Sequence, residues 1–261
     1  MKSKAIYQGA LLALVIVLGV QELAAQADRQ VDREKMAPYI GIWGRDGTQD
    51  RGNCAGYHGD GGENLNNCSL PADQLPLNKR GKAWLEFFDQ LASPTLNDCL
   101  PISFPTLWGD NAVWEMSAQV DGILQYFGGN ANNVTRKIWM DGRSHPPAGE
   151  VYQHGHAIGH FDGDDLVVES TNYVFDPDGA DDHLHMASSV LKKVTERYHF
   201  LDEETFRITI TLEDPIFLTR PFVYAHIHKK RPDQQVNLWF DCDPEASRGA
   251  TETSYPTTKY Q

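Results

Sequence analysis

The feature that most constrains this chain is a run of short apolar–polar alternations after residue 111. Segments 112–119, 122–128, 134–140, 151–161, 166–175, 191–200, 205–212, 222–230 and 236–240 have strand character. Turn residues such as Asp141-Gly142 and Asp162-Gly163-Asp164 part them. The alternation is clearest where Phe206, Ile208, Ile210 and Leu212 interleave with Arg207, Thr209 and Thr211. A period of two puts the first set on one face and the second on the other. Most connections are too short for crossover helices, which predicts an antiparallel meander. A meander of that many strands is expected to close or fold over. The fold class is therefore mainly all-β, a barrel or a sandwich.

Upstream the pattern is different. Residues 39–44 suit a first strand, and 45–78 are rich in Gly, Asn and Asp and read as loop. Residues 82–91 place Trp84, Phe87, Phe88 and Leu91 at helical spacing, so one short amphipathic helix is expected. Pro94, Pro101 and Pro105 keep 94–109 irregular. At the start, Lys2 and Lys4 precede an apolar stretch, 10–20, and Ala25-Gln26-Ala27 follows. That is the layout of a cleavable secretory signal. Eleven apolar residues rise only about 16 Å as a helix, against a bilayer core of roughly 30 Å. The expected organisation is a signal at 1–27, a loop-rich segment with the first strand and the helix at 28–110, the β domain at 111–243 and a flexible tail at 244–261. The mature chain is expected to be periplasmic or secreted, with no membrane span.

Charge and cysteine content fit that setting. The formal net charge is −13. So acidic a chain has poor electrostatics for phosphate backbones, which excludes nucleic acid as a main partner. Four cysteines, Cys54, Cys68, Cys99 and Cys242, are an even count in an exported chain and predict disulfides. Cys54 and Cys68 share one Gly/Asn-rich loop and make the natural local pair, leaving Cys99 with Cys242.

Several segments carry a resemblance. Gly41-Ile42-Trp43 resembles the Gly-x-Trp opening of lipocalin-like (calycin) barrels. Asn97-Asp98-Cys99-Leu100-Pro101, Asp141-Gly142-Arg143-Ser144-His145-Pro146 and the long run from Gly155-His156 through Gly163-Asp164-Asp165-Leu166-Val167-Val168 to Asn172 resemble a family of exported bacterial proteins to which no activity is assigned. Thr195-Glu196-Arg197-Tyr198 and Thr219-Arg220-Pro221-Phe222 continue the match in order, and Cys242 closes it. The resemblance implies export and a barrel. Segment 176–190 is longer than that family's pattern and carries His183 and His185.

Histidines mark the candidate chemistry. Three His-x-His pairs stand among ten histidines: His154/His156, His183/His185 and His226/His228. On a strand, residues i and i+2 share a face about 7 Å apart, a spacing that presents two imidazoles to one divalent metal. Convergence of His154 and His156 with His226 and His228 would make such a site. Along 151–161, Tyr152, His154, His156, Ile158 and His160 share one face, while Gly155, Ala157, Gly159 and Phe161 share the other. The histidine face looks either into a cavity or into solvent. Glu196 alternates with Val194, Tyr198 and Phe200, which puts a carboxylate on an apolar face. Such a group is either a general acid/base of raised pKa beside a histidine or the buried partner of Arg136 or Arg220. Asp141, Arg143 and His145 follow a strand, where a turn would aim them at a barrel mouth.

The resulting expectation is a barrel that binds a small, fairly apolar molecule. Candidate acid/base residues are His145, His156, His160 and Glu196, and candidate ligand contacts are Asp141, Arg143, Tyr198, Tyr224 and His226. His156, His160 and Glu196 are expected to line one internal cavity. The alternatives are a His-ligated metalloenzyme and a non-enzymatic envelope module.

Overall fold

The computed structural model describes residues 33–46, 75–88, 98–101, 103–109, 113–128, 134–181, 186–236 and 243–248. Two compact units are distinguished, Met1–Tyr39 and Ile40–Gln261. The described part of the first is a helical turn ending in the 3-10 segment Ala37–Tyr39. Among its described residues the second holds eleven strands in chain order: β1 (Gly41–Arg45), β2 (Val113–Gln119), β3 (Gly122–Phe127), β4 (Val134–Trp139), β5 (His156–Asp162), β6 (Asp165–Thr171), β7 (Asp176–Asp181), β8 (Met186–Ser188), β9 (Lys193–Asp202), β10 (Thr205–Glu213) and β11 (Phe222–Lys230). Among the described residues, one helix, α1 (Lys79–Phe87), and a 3-10 turn, Thr106–Gly109, separate β1 from β2. Among the described residues no helix is long and apolar enough to cross a membrane.

Nine strands form a closed barrel in the order β1-β11-β10-β9-β6-β5-β4-β3-β2, and β7 and β8 make a separate two-stranded sheet. The alternation that defined the strands also defines the inside. Ile210 is registered opposite Glu196 and Tyr224, and Ile208 opposite Tyr198 and His226. Direct partners share a face, so Glu196, Tyr198, Tyr224 and His226 point inward with the β10 isoleucines.

The meander expectation needs one correction. Eight of the nine junctions are antiparallel, but β4 and β5 run parallel, with Ile138 opposite Ala157 and Trp139 opposite Ile158. A parallel pair needs a crossover, and residues 140–155 supply it without a helix. The strand expected over 151–161 is consequently shorter and begins at His156. Gly155 breaks it with a φ of +69°, and a Cβ there would lie 2.6 Å from the Tyr173 ring.

The segment read as irregular, around Pro105, fills the barrel. Trp43, Phe104, Trp108, Trp114, Phe127, Tyr198 and Phe206 are each no more than 1% exposed. The Trp108 ring stands edge-on to Trp114 (5.0 Å), Phe127 (5.3 Å), Tyr198 (6.0 Å) and His228 (5.6 Å). Lys192 ties this plug down: its buried Nζ donates to the carbonyls of Phe104 (2.7 Å) and Gly179 (2.9 Å). Burial pushes that ammonium down to about 7.

Helix α1 starts one turn earlier than its apolar spacing predicts. Asn78 caps it, with its side-chain oxygen accepting from the amides of Arg80 (2.9 Å) and Gly81 (3.1 Å). The same Asn78 donates its side-chain amide to Ile216 O (2.9 Å) and its backbone N–H to Phe217 O (2.9 Å), which seats the helix on the β10–β11 connection. Phe88 leaves the helical conformation (φ −60°, ψ 127°), and Leu91 lies outside the described residues.

Candidate functional site

Inside the barrel, Arg136 and Glu196 centre a network of hydrogen bonds. Arg136 on β4 donates through Nη1 to both oxygens of Glu196 on β9 (3.0 and 2.9 Å) and through Nη2 to Ser170 Oγ (2.6 Å). Trp108 Nε1 donates to Glu196 Oε1 (2.8 Å), and the Tyr198 hydroxyl donates to Oε2 (3.2 Å). Gln125 Nε2 donates to the Tyr198 oxygen (3.0 Å). Arg136 and Glu196 are 2% and 0% exposed. Glu196 is thus the partner of Arg136, the structural member of the pair of roles expected for it. Arg220 is exposed.

The expected cavity shared by His156, His160 and Glu196 is not formed. Ala157 and Gly159 take the inward positions of β5, and His156 and His160 take the outer face. The cause is crowding inside: a Cβ on Gly159 would lie 2.8 Å from Ile138 Cγ2. The small residues face the barrel core, so the histidines face out. The expected metal quartet is divided in the same way. His226 and His228 are buried inside, 6% and 1% exposed, while His156 lies outside. Trp114 Nε1 donates to His228 Nδ1 (3.1 Å). Burial, with Arg45 and Arg231 nearby, pushes His228 down to about 3. His154 stands edge-on to Phe104 (6.1 Å), and burial beside Arg136 and Lys192 pushes it down to about 4. Among the described residues no three His, Cys, Asp or Glu side chains are grouped to hold an ion. His183 and His185 lie outside the described residues, as do Cys54, Cys68 and Cys242. Cys99 is described and is not a free thiol.

On the outer face the crossover brings His145 to His156, with Nδ1 atoms 3.1 Å apart and rings edge to face. Trp139 lies nearly parallel to His156 at 6.4 Å, and Tyr152 is 6.3 Å from it. Arg143 stacks 3.4 Å over the Trp139 ring while forking onto Asp141, with Nε to Oδ1 at 2.9 Å. That hydrogen bond holds the Asp141 carboxyl down at about 2. Asn172 organises the turn. Its side-chain amide donates to the carbonyls of Pro146 (3.3 Å), Pro147 (3.0 Å) and Glu150 (2.8 Å). Asn172 holds a φ of +60°, a conformation asparagine tolerates better than most residues. Asp141, Arg143 and His145 therefore meet His156, but on the barrel wall. Asn172 was not singled out in the sequence; its place as the last residue of an alternating run was the available signal.

A third feature lies under α1. Arg80, Ala83, Trp84, Phe87, Phe88, Pro177 and Phe217 line a groove of about 540 Å³. Trp84 stands edge-on to Phe175 (5.5 Å) and Phe217 (6.2 Å). Phe87 is 71% exposed, an unusual position for a phenylalanine on a helix. The buried Trp84 indole N–H has no acceptor among the described residues. α1 carries three cations, Lys79, Arg80 and Lys82, against one carboxylate, Glu86. The helical spacing of Trp84, Phe87 and Phe88 was legible as an amphipathic helix; that its aromatic residues line a groove was not.

No protein-family model matches the chain, and neither does any curated protein or solved structure.

Proposed function

We propose that this is an exported ligand-binding barrel whose binding site is the groove under α1, and that its ligand is a small amphipathic acid, an apolar body bearing one carboxylate. The observation that carries this reading is an aromatic groove of about 540 Å³ with Arg80 on its lining. Small-molecule sites are commonly clefts of roughly 300–1,000 Å³, mostly apolar with a few directed polar groups. Arg80 supplies such a group. Arg80, with Lys79 and Lys82, makes a basic stretch on a chain of net charge −13, which favours an anionic headgroup. Export rests on the signal-like residues 1–27 and the even cysteine count. The ring-filled barrel interior argues against carriage of a ligand there.

Calorimetric titration of the untagged protein with dodecanoate and with dodecanol tests this. Dodecanoate is expected to bind saturably and dodecanol more weakly. Ala83→Trp, which fills the groove, should abolish binding. Arg80→Gln should weaken it about tenfold or more, because a hydrogen bond to a charged group is worth roughly 1.5–3 kcal/mol. Absence of saturable binding, or full affinity in Ala83→Trp, would sink the proposal.

A further inference from the structure

The contact between His145 and His156 stands apart from the groove and has its own chemistry. Two imidazole nitrogens 3.1 Å apart can share one proton in an N–H···N bond. The same spacing suits two ligands of a single ion. With metal–nitrogen bonds of about 2.05 Å, nitrogens at this separation subtend about 98° at the ion. That is the angle of adjacent ligands in a tetragonal field, the geometry that Cu²⁺ prefers.

The surroundings are arranged as such a site needs. Burial lowers the affinity of both imidazoles for protons. The cations nearby are already engaged. Arg143 is forked onto Asp141, and Lys193 pairs with Glu169 (3.1 Å). The two ligands come from separate segments, each fixed before an ion arrives. His156 opens β5 directly after the Gly155 turn, and His145 is held by the turn whose next carbonyls, those of Pro146 and Pro147, accept from Asn172. Trp139 and Tyr152 flank the His156 ring.

We propose that His145 and His156 form a two-histidine site for a divalent transition-metal ion, Cu²⁺ foremost, with the remaining coordination positions left to water or to an exogenous ligand. No third protein ligand is grouped with them among the described residues, so the site is an open one. Cu²⁺ stands highest among the first-row divalent ions for a nitrogen site of this kind.

The test is titration of untagged, EDTA-washed full-length protein with CuCl₂ at pH 7.5, followed by calorimetry and electron paramagnetic resonance. One tight Cu²⁺ per chain is expected, with a spectrum that reports two nitrogen ligands. His145→Ala and His156→Ala should each weaken binding about tenfold or more, since loss of an outer-sphere partner alone typically costs 10–100-fold. His156→Asn replaces the ring by a smaller neutral amide and serves if the alanine variant does not fold. The double change His183→Ala/His185→Ala should leave the site intact. Failure to take up one Cu²⁺ per chain, or unchanged affinity in the His145 and His156 variants, overturns the proposal in favour of a proton-sharing pair.

Discussion

At the scale of the residue, Glu196 and the histidines show what alternation can and cannot decide. Period two put Glu196 on the same face as Tyr198 and Val194, and both are fully buried beside it. The period left open which arginine met it. Only the register, with Gln125 opposite Arg136 on the neighbouring strands, brings that guanidinium inside. Removing one member of a buried pair leaves an uncompensated charge, so Arg136→Ala and Glu196→Ala should each cost about 3–5 kcal/mol. Urea denaturation would measure this, and a loss below about 1 kcal/mol would show that water reaches the pair. The histidine faces were not legible. The same small residues, Ala157 and Gly159, serve a crowded interior as well as a second layer outside. The buried histidines give a pH signature. His154 and His228 are held down at about 4 and about 3 from an ordinary 6.5. The unfolded chain therefore binds protons first as pH falls. Their stabilisation is complete above pH 6.5 and is lost progressively toward pH 3, at about 1.4 kcal/mol per pH unit for each proton. His228→Gln, which keeps an acceptor for Trp114, should reduce that slope by about one proton. An equal slope in both proteins would refute the assignment.

At the scale of the element, the crossover between β4 and β5 was the least legible part. Its sequence contains Asp-Gly and Pro-Pro turn signals, and these fit a hairpin as well as a crossover. What settles the matter is a side chain from another element: Asn172, at the end of β6, binds three carbonyls of the turn. Asn172→Gly tolerates the positive φ yet lacks the amide, whereas Asn172→Ala loses both advantages. Amide exchange over 145–152 should accelerate in each variant, with stability reduced by about 1–3 kcal/mol and more in alanine than in glycine. Unchanged exchange would mean that Tyr152, which bonds the Asn172 backbone at 2.8 Å, holds the turn alone. The helix was read correctly in kind and displaced in position. Apolar spacing favoured 82–91, while the cap at Asn78 set the observed start.

At the scale of the whole molecule, the all-β class and nearly every barrel strand were written in the alternation, and closure was expected as one of two outcomes, a barrel or a sandwich. Closure depends on long-range pairing that no local pattern encodes. The cysteines act at this scale too. Asp98, next to Cys99, forms an ion pair with Arg248, a few residues beyond Cys242. That proximity supports the pairing of Cys99 with Cys242, which is expected to appear as a cross-linked peptide in non-reducing digests. Detection of Cys99 joined to Cys54 or Cys68 instead would refute it. One further consequence follows from β1. This five-residue strand bonds β11 on one side and β2 on the other. Among the described strands it is made first, yet one of its two neighbours, β11, is the last to emerge during synthesis. Until that neighbour arrives, the growing sheet has free rims with unpaired amides and carbonyls, and each is a template for another chain. Gly41–Arg45 therefore acts as a clasp. A chain lacking it would keep most of its sheet and core but join to copies of itself rim to rim, so its failure would be seen as aggregation rather than as unfolding.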